Sequence, residues 1–234
     1  MNAEVRTKLA MGARVREFCR AHPSEDSSHV TLQARLEDRL SRADVLAAQE
    51  RAGRIEERSA ALRRGELRRA MQRKFLRHLI RVGRAAAKQQ PDLVGKFVTR
   101  NRNATHKDFL VAAKAMLAEA VANKARFVEL GLSPTMLDEL GKAIAQFEAV
   151  TTSGNAGRAG HIGARADLTA IAAEVVDTVA TLNPFQLFRF EADPELSAAW
   201  LSAREVIGPS RPKVVTPPTG GEGAPPAGQA GAAA

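Results

Sequence analysis

The sequence predicts an all-α protein: an antiparallel up-and-down bundle of about six or seven helices with a disordered C-terminal tail. Three observations predict it. Apolar residues recur at spacings of three and four along nearly the whole chain, and β-branched alternation is absent. Pro, Gly and capping residues punctuate the chain at short intervals, and short connections force neighbouring helices to run in opposite directions. Residues 208–234 hold six Pro, six Gly and six Ala in 27 positions, too little apolar surface to offset the entropy of ordering. The 234 residues are 44% apolar, enough to fill a core, and residues 1–207 are expected to form one domain.

The first helix is expected over Ala3 to Ala21, ended by His22-Pro23, because proline biases the residue before it away from helix. After a polar loop, Ser24 to Ser28, a stripe of Leu32, Leu36, Leu40, Ala43 and Ala47 marks the second helix. Its phase is lost near Glu50 to Ile55, so the helix bends, ends or changes partner around Ala52-Gly53 to Ser59. A further stripe of Leu67, Met71, Phe75, Leu79, Val82 and Ala86 falls in one arc at about 100° per residue. Gln89-Gln90-Pro91 ends that helix, and Asp92 to Asn103 reads as a connection with one short turn.

Thr105 and Asp108 have the spacing of a capping box ahead of Phe109. Gly131 fits the C-cap of the helix they open, and Ser133-Pro134 fits the N-cap and first turn of the next. Residues 131–134 therefore predict a tight αα connection, the clearest local signal in the chain. The following helix carries Leu137, Leu140, Ile144 and Phe147. Beyond a stretch with Gly154, Gly157, Gly160 and Gly163, another helix carries Leu168, Ile171, Val175, Val179 and Leu182, stopped by Asn183-Pro184. Asp193-Pro194 opens a last helix with Leu196, Trp200 and Ala203.

The net charge of +9 is unevenly spread. Residues 1–100 hold 23 Lys and Arg against 12 Asp and Glu; residues 101–234 hold 12 against 14. Arg58 to Lys88 alone has eleven cations and one acid, Glu66, an asymmetry that points to a polyanionic partner. Arg63, Arg73, Arg77, Arg81, Arg84 and Lys88 fall opposite the apolar arc and are the candidate polyanion-binding residues. The bland alternative is a solvated face, or one paired with Glu37, Asp38, Asp44, Glu56 and Glu57 of the preceding helix. An anionic membrane surface is a weaker match, because the apolar side lacks Trp and is rich in Ala and Gly.

Other constellations read as structure. Phe127 to Leu140 has the outline of a helix-turn-helix reader, but Phe127 stands where a small residue is needed and Asp138 and Glu139 would repel phosphates. An αα-hairpin explains the same residues. The spaced glycines at 151–163 could form an anion nest; a flexible connector or a close helix crossing fits better. They are not a phosphate loop, since no Gly-Lys-Ser/Thr follows. Five His show no ligand spacing, and His78 within the apolar arc reads as a core or boundary imidazole. The single Cys19 excludes an intramolecular disulfide framework and a Cys-based zinc set, and a buried inert thiol is its default. Phe185, Leu187, Phe188 and Phe190 seal a bundle end or, less in keeping with a closed bundle, form a partner-binding hook.

No catalytic, metal or cofactor constellation emerges, and no small-molecule substrate is identified. The expectation is a non-enzymatic interaction or structural module with a protein partner or self-association. Its alternative is sequence-independent nucleic-acid binding through the basic helix 58–88. No run of about eighteen apolar residues occurs, so no transmembrane helix is expected. The charged first residues do not read as a secretory signal, so the expected location is cytoplasmic.

Overall fold

The computed structural model describes residues 1–98 and 104–207, and the tail read at 208–234 lies outside them. Among the described residues seven α-helices occur in this order: α1 Ala3–Ala21, α2 Ser27–Met71, α3 Arg77–Ala87, α4 His106–Ala122, α5 Lys124–Glu129, α6 Met136–Arg189 and α7 Pro194–Arg204. A single π turn, Gln72–Leu76, joins α2 to α3 without a break, so there are six separate helical rods. No strand is present among the described residues.

Two of the rods are far longer than the stripes predicted. α2 has 45 residues and α6 has 54, about 68 and 81 Å at 1.5 Å per residue. They run antiparallel along each other in one register. Gln186 meets His29 (2.7 Å), Glu174 meets Arg39 (2.6 Å), His161 meets Glu57 (2.8 Å) and Glu139 meets Lys74 (2.7 Å). Steps up α2 are thus matched by nearly equal steps back along α6.

A core sits at each end of this pair. At one end α1 lays Met11, Val15 and Cys19 against Leu36 and Leu40 of α2 and Leu168, Val175 and Leu182 of α6, with Trp200 of α7 closing over them. At the other end Met71, Phe75 and Leu79 pack with Phe97, Phe109, Phe127, Leu140 and Phe147.

The middle is built differently. A Cβ on Gly53 would lie 2.7 Å from the Gly157 carbonyl oxygen, and one on Gly154 would lie 2.8 Å from the Ala60 Cβ. The two backbones therefore meet almost directly, with no room for core side chains. This is why the apolar phase fails at Glu50 to Ile55 while the helix continues. The helix does not end there, and it does not change partner either: α6 lies against it on both sides of the crossing. Residues 151–163 lie inside α6, and Gly154 and Gly157 build the close crossing, whereas a Cβ on Gly160 or Gly163 would meet nothing within 4 Å. Buried Glu50, just before the crossing, is ion-paired by the Met1 amine (3.0 Å) and by Arg54.

Local signals place the shorter elements. Asp26 caps α2, accepting from the Ser28 and His29 amides. Thr105 caps α4: its Oγ1 accepts from the Asp108 amide (3.1 Å) and donates to the Asp108 carboxylate (2.9 Å). Gly131 adopts φ +92°, and the Leu132 amide closes back on the Phe127 carbonyl at 2.8 Å, the Schellman arrangement.

Three local expectations are corrected. α6 begins at Met136 with Thr135 as its uncapped N-cap, so Ser133-Pro134 belongs to the turn and not to the helix. The helix after Thr105 is interrupted at Asn123, dividing α4 from α5. Pro184 does not stop α6. Its ring removes one backbone donor and crowds the carbonyl four residues back, but the last turn is held from outside: Arg189 donates to the His22 and Pro23 carbonyls (2.9 and 2.6 Å), and Phe190 packs edge-on against Phe18.

Buried His29 brings a pH dependence into the α1 end. The Gln186 amide is 2.7 Å from its Nε2, and Gln186 also donates to the Cys19 sulfur at 3.6 Å. Burial, then the Arg189 charge, hold His29 below its ordinary 6.5, against an opposing pull from Asp26. His106 is lowered by burial and by Arg68 and Arg64. A lowered histidine contributes stability that is complete above 6.5 and is lost as pH falls below that value. Thermal melts should therefore show the midpoint falling between pH 7 and pH 5, with His29→Gln flattening the slope. Glu50 does not confuse that window. Burial raises it, and hydrogen bonds from the Met1 amine and Arg54 more than reverse this, so its contribution is lost only below the ordinary carboxylate range. A slope unchanged by His29→Gln would contradict the assignment.

Candidate functional site

The basic segment spans the end of α2, the π turn and α3, and its apolar side holds the second core. Met71, Phe75, Leu79, Val82 and Ala86 are buried, as the stripe predicts, and Leu67 is half-buried. Leu76, Ile80 and Gly83 are buried as well. The π turn is the reason. It closes its hydrogen bonds five residues apart, so one residue is added to the turn and the buried face is displaced. A Cβ on Gly83 would lie 2.4 Å from the Phe97 ring, which covers this glycine. His78, placed in the apolar arc by a uniform α-helical wheel, is exposed for the same reason. The adjacent apolar pairs Phe75-Leu76 and Leu79-Ile80 carry a second stripe one residue out of step, and that was the available sign of the displacement.

All six candidate cations, Arg63, Arg73, Arg77, Arg81, Arg84 and Lys88, are exposed. None of them makes an ion pair among the described residues, whereas their neighbour Lys74 pairs with Glu139 at 2.7 Å. Four of the five acids weighed as internal partners are engaged elsewhere, and the fifth, Asp44, is exposed and makes no ion pair among the described residues. Glu37 binds Arg20 (2.9 Å), Asp38 binds Arg39 (3.3 Å), Glu56 accepts from Ser153 (2.7 Å) and Glu57 faces His161 and Arg158. They lie on the same unbroken rod as the basic segment and have no way to fold back on it.

The six do not form one stripe. Arg77, Arg81, Arg84 and Lys88 follow each other at i, i+4, i+7 and i+11 along one face, about 16 Å of helix. Arg73 lies within the π turn, and Arg63 lines a cleft between α2 and α6 with Ser59, Leu67 and Gln146. Two other arginines of the segment turn inward: Arg68 lies 5.0 Å over the Phe109 ring, and the Arg64 Nε is buried without a partner. The site is therefore the α3 face.

No family model, curated protein or solved structure matches this chain.

The remaining constellations take their places in the framework. Phe127 is fully buried and α5 has only six residues, which is an αα-hairpin and not a reader with a small residue at its turn. Gly154, Gly157, Gly160 and Gly163 are all helical, so their amides are committed to the α6 ladder and form no anion nest. Cys19 is buried, and burial, partly opposed by Gln186, pushes its thiol up. The aromatic cluster after Pro184 divides. Phe190 is buried and seals the α1 end, while Phe188 is 81% exposed and Phe185 and Leu187 are partly open. No described helix is long and apolar enough to cross a membrane.

Proposed function

We propose that this protein is a non-enzymatic interaction module whose α3 face binds the phosphate backbone of duplex nucleic acid without reading its sequence. One observation carries the reading: Arg77, Arg81, Arg84 and Lys88 are exposed on one face and make no ion pair among the described residues. Four cations held on a rigid helix meet phosphates with little further ordering, and arginine adds bidentate geometry. The aromatic residue of this segment, Phe75, is buried in the core. The face therefore offers no stacking platform for single strands, and a duplex is favoured.

The test is a binding titration with a duplex of arbitrary sequence at several salt concentrations. Four phosphate contacts correspond to a log–log slope of about −3.6, a loss of about a hundredfold between 50 and 200 mM salt. Replacing Arg77, Arg81 and Arg84 by Ala leaves one contact and an expected slope of about −0.9, with unchanged helicity. A wild-type protein that fails to bind duplex at low salt ends this reading, and a triple variant with the parental slope moves the contact elsewhere.

A further inference from the structure

Between the two end cores, one flank of the α2/α6 pair is an open apolar trough. Ala52, Ile55, Ser59 and Leu62 follow a three-four-three spacing on α2, which sets them along one side of the helix. That side is displaced from Ala60, which packs on Gly154. Ile55 is 60% exposed and Leu62 is 67% exposed. Two clefts of about 720 and 520 Å³ adjoin here, sharing Ser59, Arg63 and Gln146, with Ala149 and Val150 of α6 in the far wall. Together they run from Ala52 to Ala70, about 27 Å or five helical turns. Exposed apolar residues gathered along one cleft with polar walls mark an interaction surface more clearly than scattered exposed residues do.

Charge decides what fits it. Arg51 and Arg58 stand three or four positions from Ile55 and Leu62, Arg63 lines the trough, and Arg69 continues the series. All four are exposed and make no ion pair among the described residues. The acids at the trough are Glu56, already hydrogen-bonded by Ser153, and Glu66. A second copy of this chain would set these arginines against their own kind. A helix with one apolar face flanked by carboxylates satisfies both the trough and its rim. We propose that the trough is a docking site for an acidic amphipathic helix of a partner protein. This site is separate from the α3 face and does not depend on nucleic-acid binding.

The probe is a fluorescein-labelled peptide of three heptads, with Leu at the seam positions and Glu flanking them, titrated into the full chain and followed by anisotropy. Saturable binding is expected, weakened at least tenfold by Ile55→Ser with Leu62→Ser and also weakened by Arg58→Glu. The two apolar substitutions are at exposed positions, so the circular dichroism spectrum should not change. The Arg77, Arg81, Arg84 to Ala variant should bind the peptide as wild type does, and a peptide with Lys in place of Glu should not bind. Absence of binding, binding indifferent to Ile55 and Leu62, or binding abolished by the α3 variant would each overturn the proposal. So would a wild-type dimer in sedimentation that the Ile55 and Leu62 substitutions dissolve, since that makes the occupant a second copy.

Discussion

Replacing Gly53 by leucine is expected to destabilise the protein by about 3 kcal/mol, the upper part of the range for overpacking a tight site. Even a methyl group at this position would lie 2.7 Å from the Gly157 carbonyl oxygen and 3.0 Å from the His161 amide nitrogen. Both are backbone atoms of α6, so relief requires moving the whole helix and not a side-chain rotation. The surroundings of Gly53 would move with it: Glu57 would lose its 2.8 Å contact with His161, and Ala60 its packing on Gly154. Gly65 of the same helix supplies the contrast. Nothing lies within 4 Å of a Cβ there, so Gly65→Ala should stabilise by up to about 1 kcal/mol through helix propensity alone. Urea unfolding of the two variants against wild type measures both signs. A Gly53→Leu protein within 0.5 kcal/mol of wild type would remove the close crossing from the account.

Trp200→Ala should cost about 3–5 kcal/mol, the range for truncating a fully buried aromatic. Trp200 is the only tryptophan, is wholly buried, and lies 5.5 Å from the Phe18 ring. Its indole nitrogen donates to Asn183 Oδ1 at 3.0 Å, so truncation also leaves that oxygen without its donor. The loss should be local. Trp200 belongs to the core shared by α1, α7 and the adjoining ends of α2 and α6, and the residues around Phe127 form a different core. Hydrogen exchange should therefore accelerate in α1 and α7 while α4 and the core-facing part of α3 keep their protection. Equal acceleration at both ends would show that the two cores unfold as one unit.

The elements that were legible in the sequence are those bounded by chemistry within one turn. The first helix ends where His22-Pro23 requires, Thr105 and Asp108 open α4, Asp193 caps α7, and Gly131 makes the left-handed turn. The candidate face was legible in part for the same reason. Arginines spaced at three and four on a strongly amphipathic helix must lie opposite its core, and Arg77, Arg81, Arg84 and Lys88 do.

What stayed hidden depends on surfaces that come together only in the folded chain. Glycines at 154 and 157 left a flexible connector and a close crossing both open, because glycine weakens an isolated helix; α2 lying directly against them decides for the crossing. Pro184 reads as a stop because it removes a hydrogen bond, yet Arg189 and Phe190 hold the next turn against α1. The π turn at Gln72–Leu76 rotates the buried face by one residue so that Phe97 can rest on Gly83, and this separates Arg63 from the α3 cations. By itself the sequence determined an antiparallel all-α chain with a basic segment, because periodicity and caps act over a few residues. Only the tertiary structure decided where helices run through their own breakers, because that balance is set by the partner helix: its packing offsets a cost of about 1 kcal/mol for a glycine and about 3 kcal/mol for a proline.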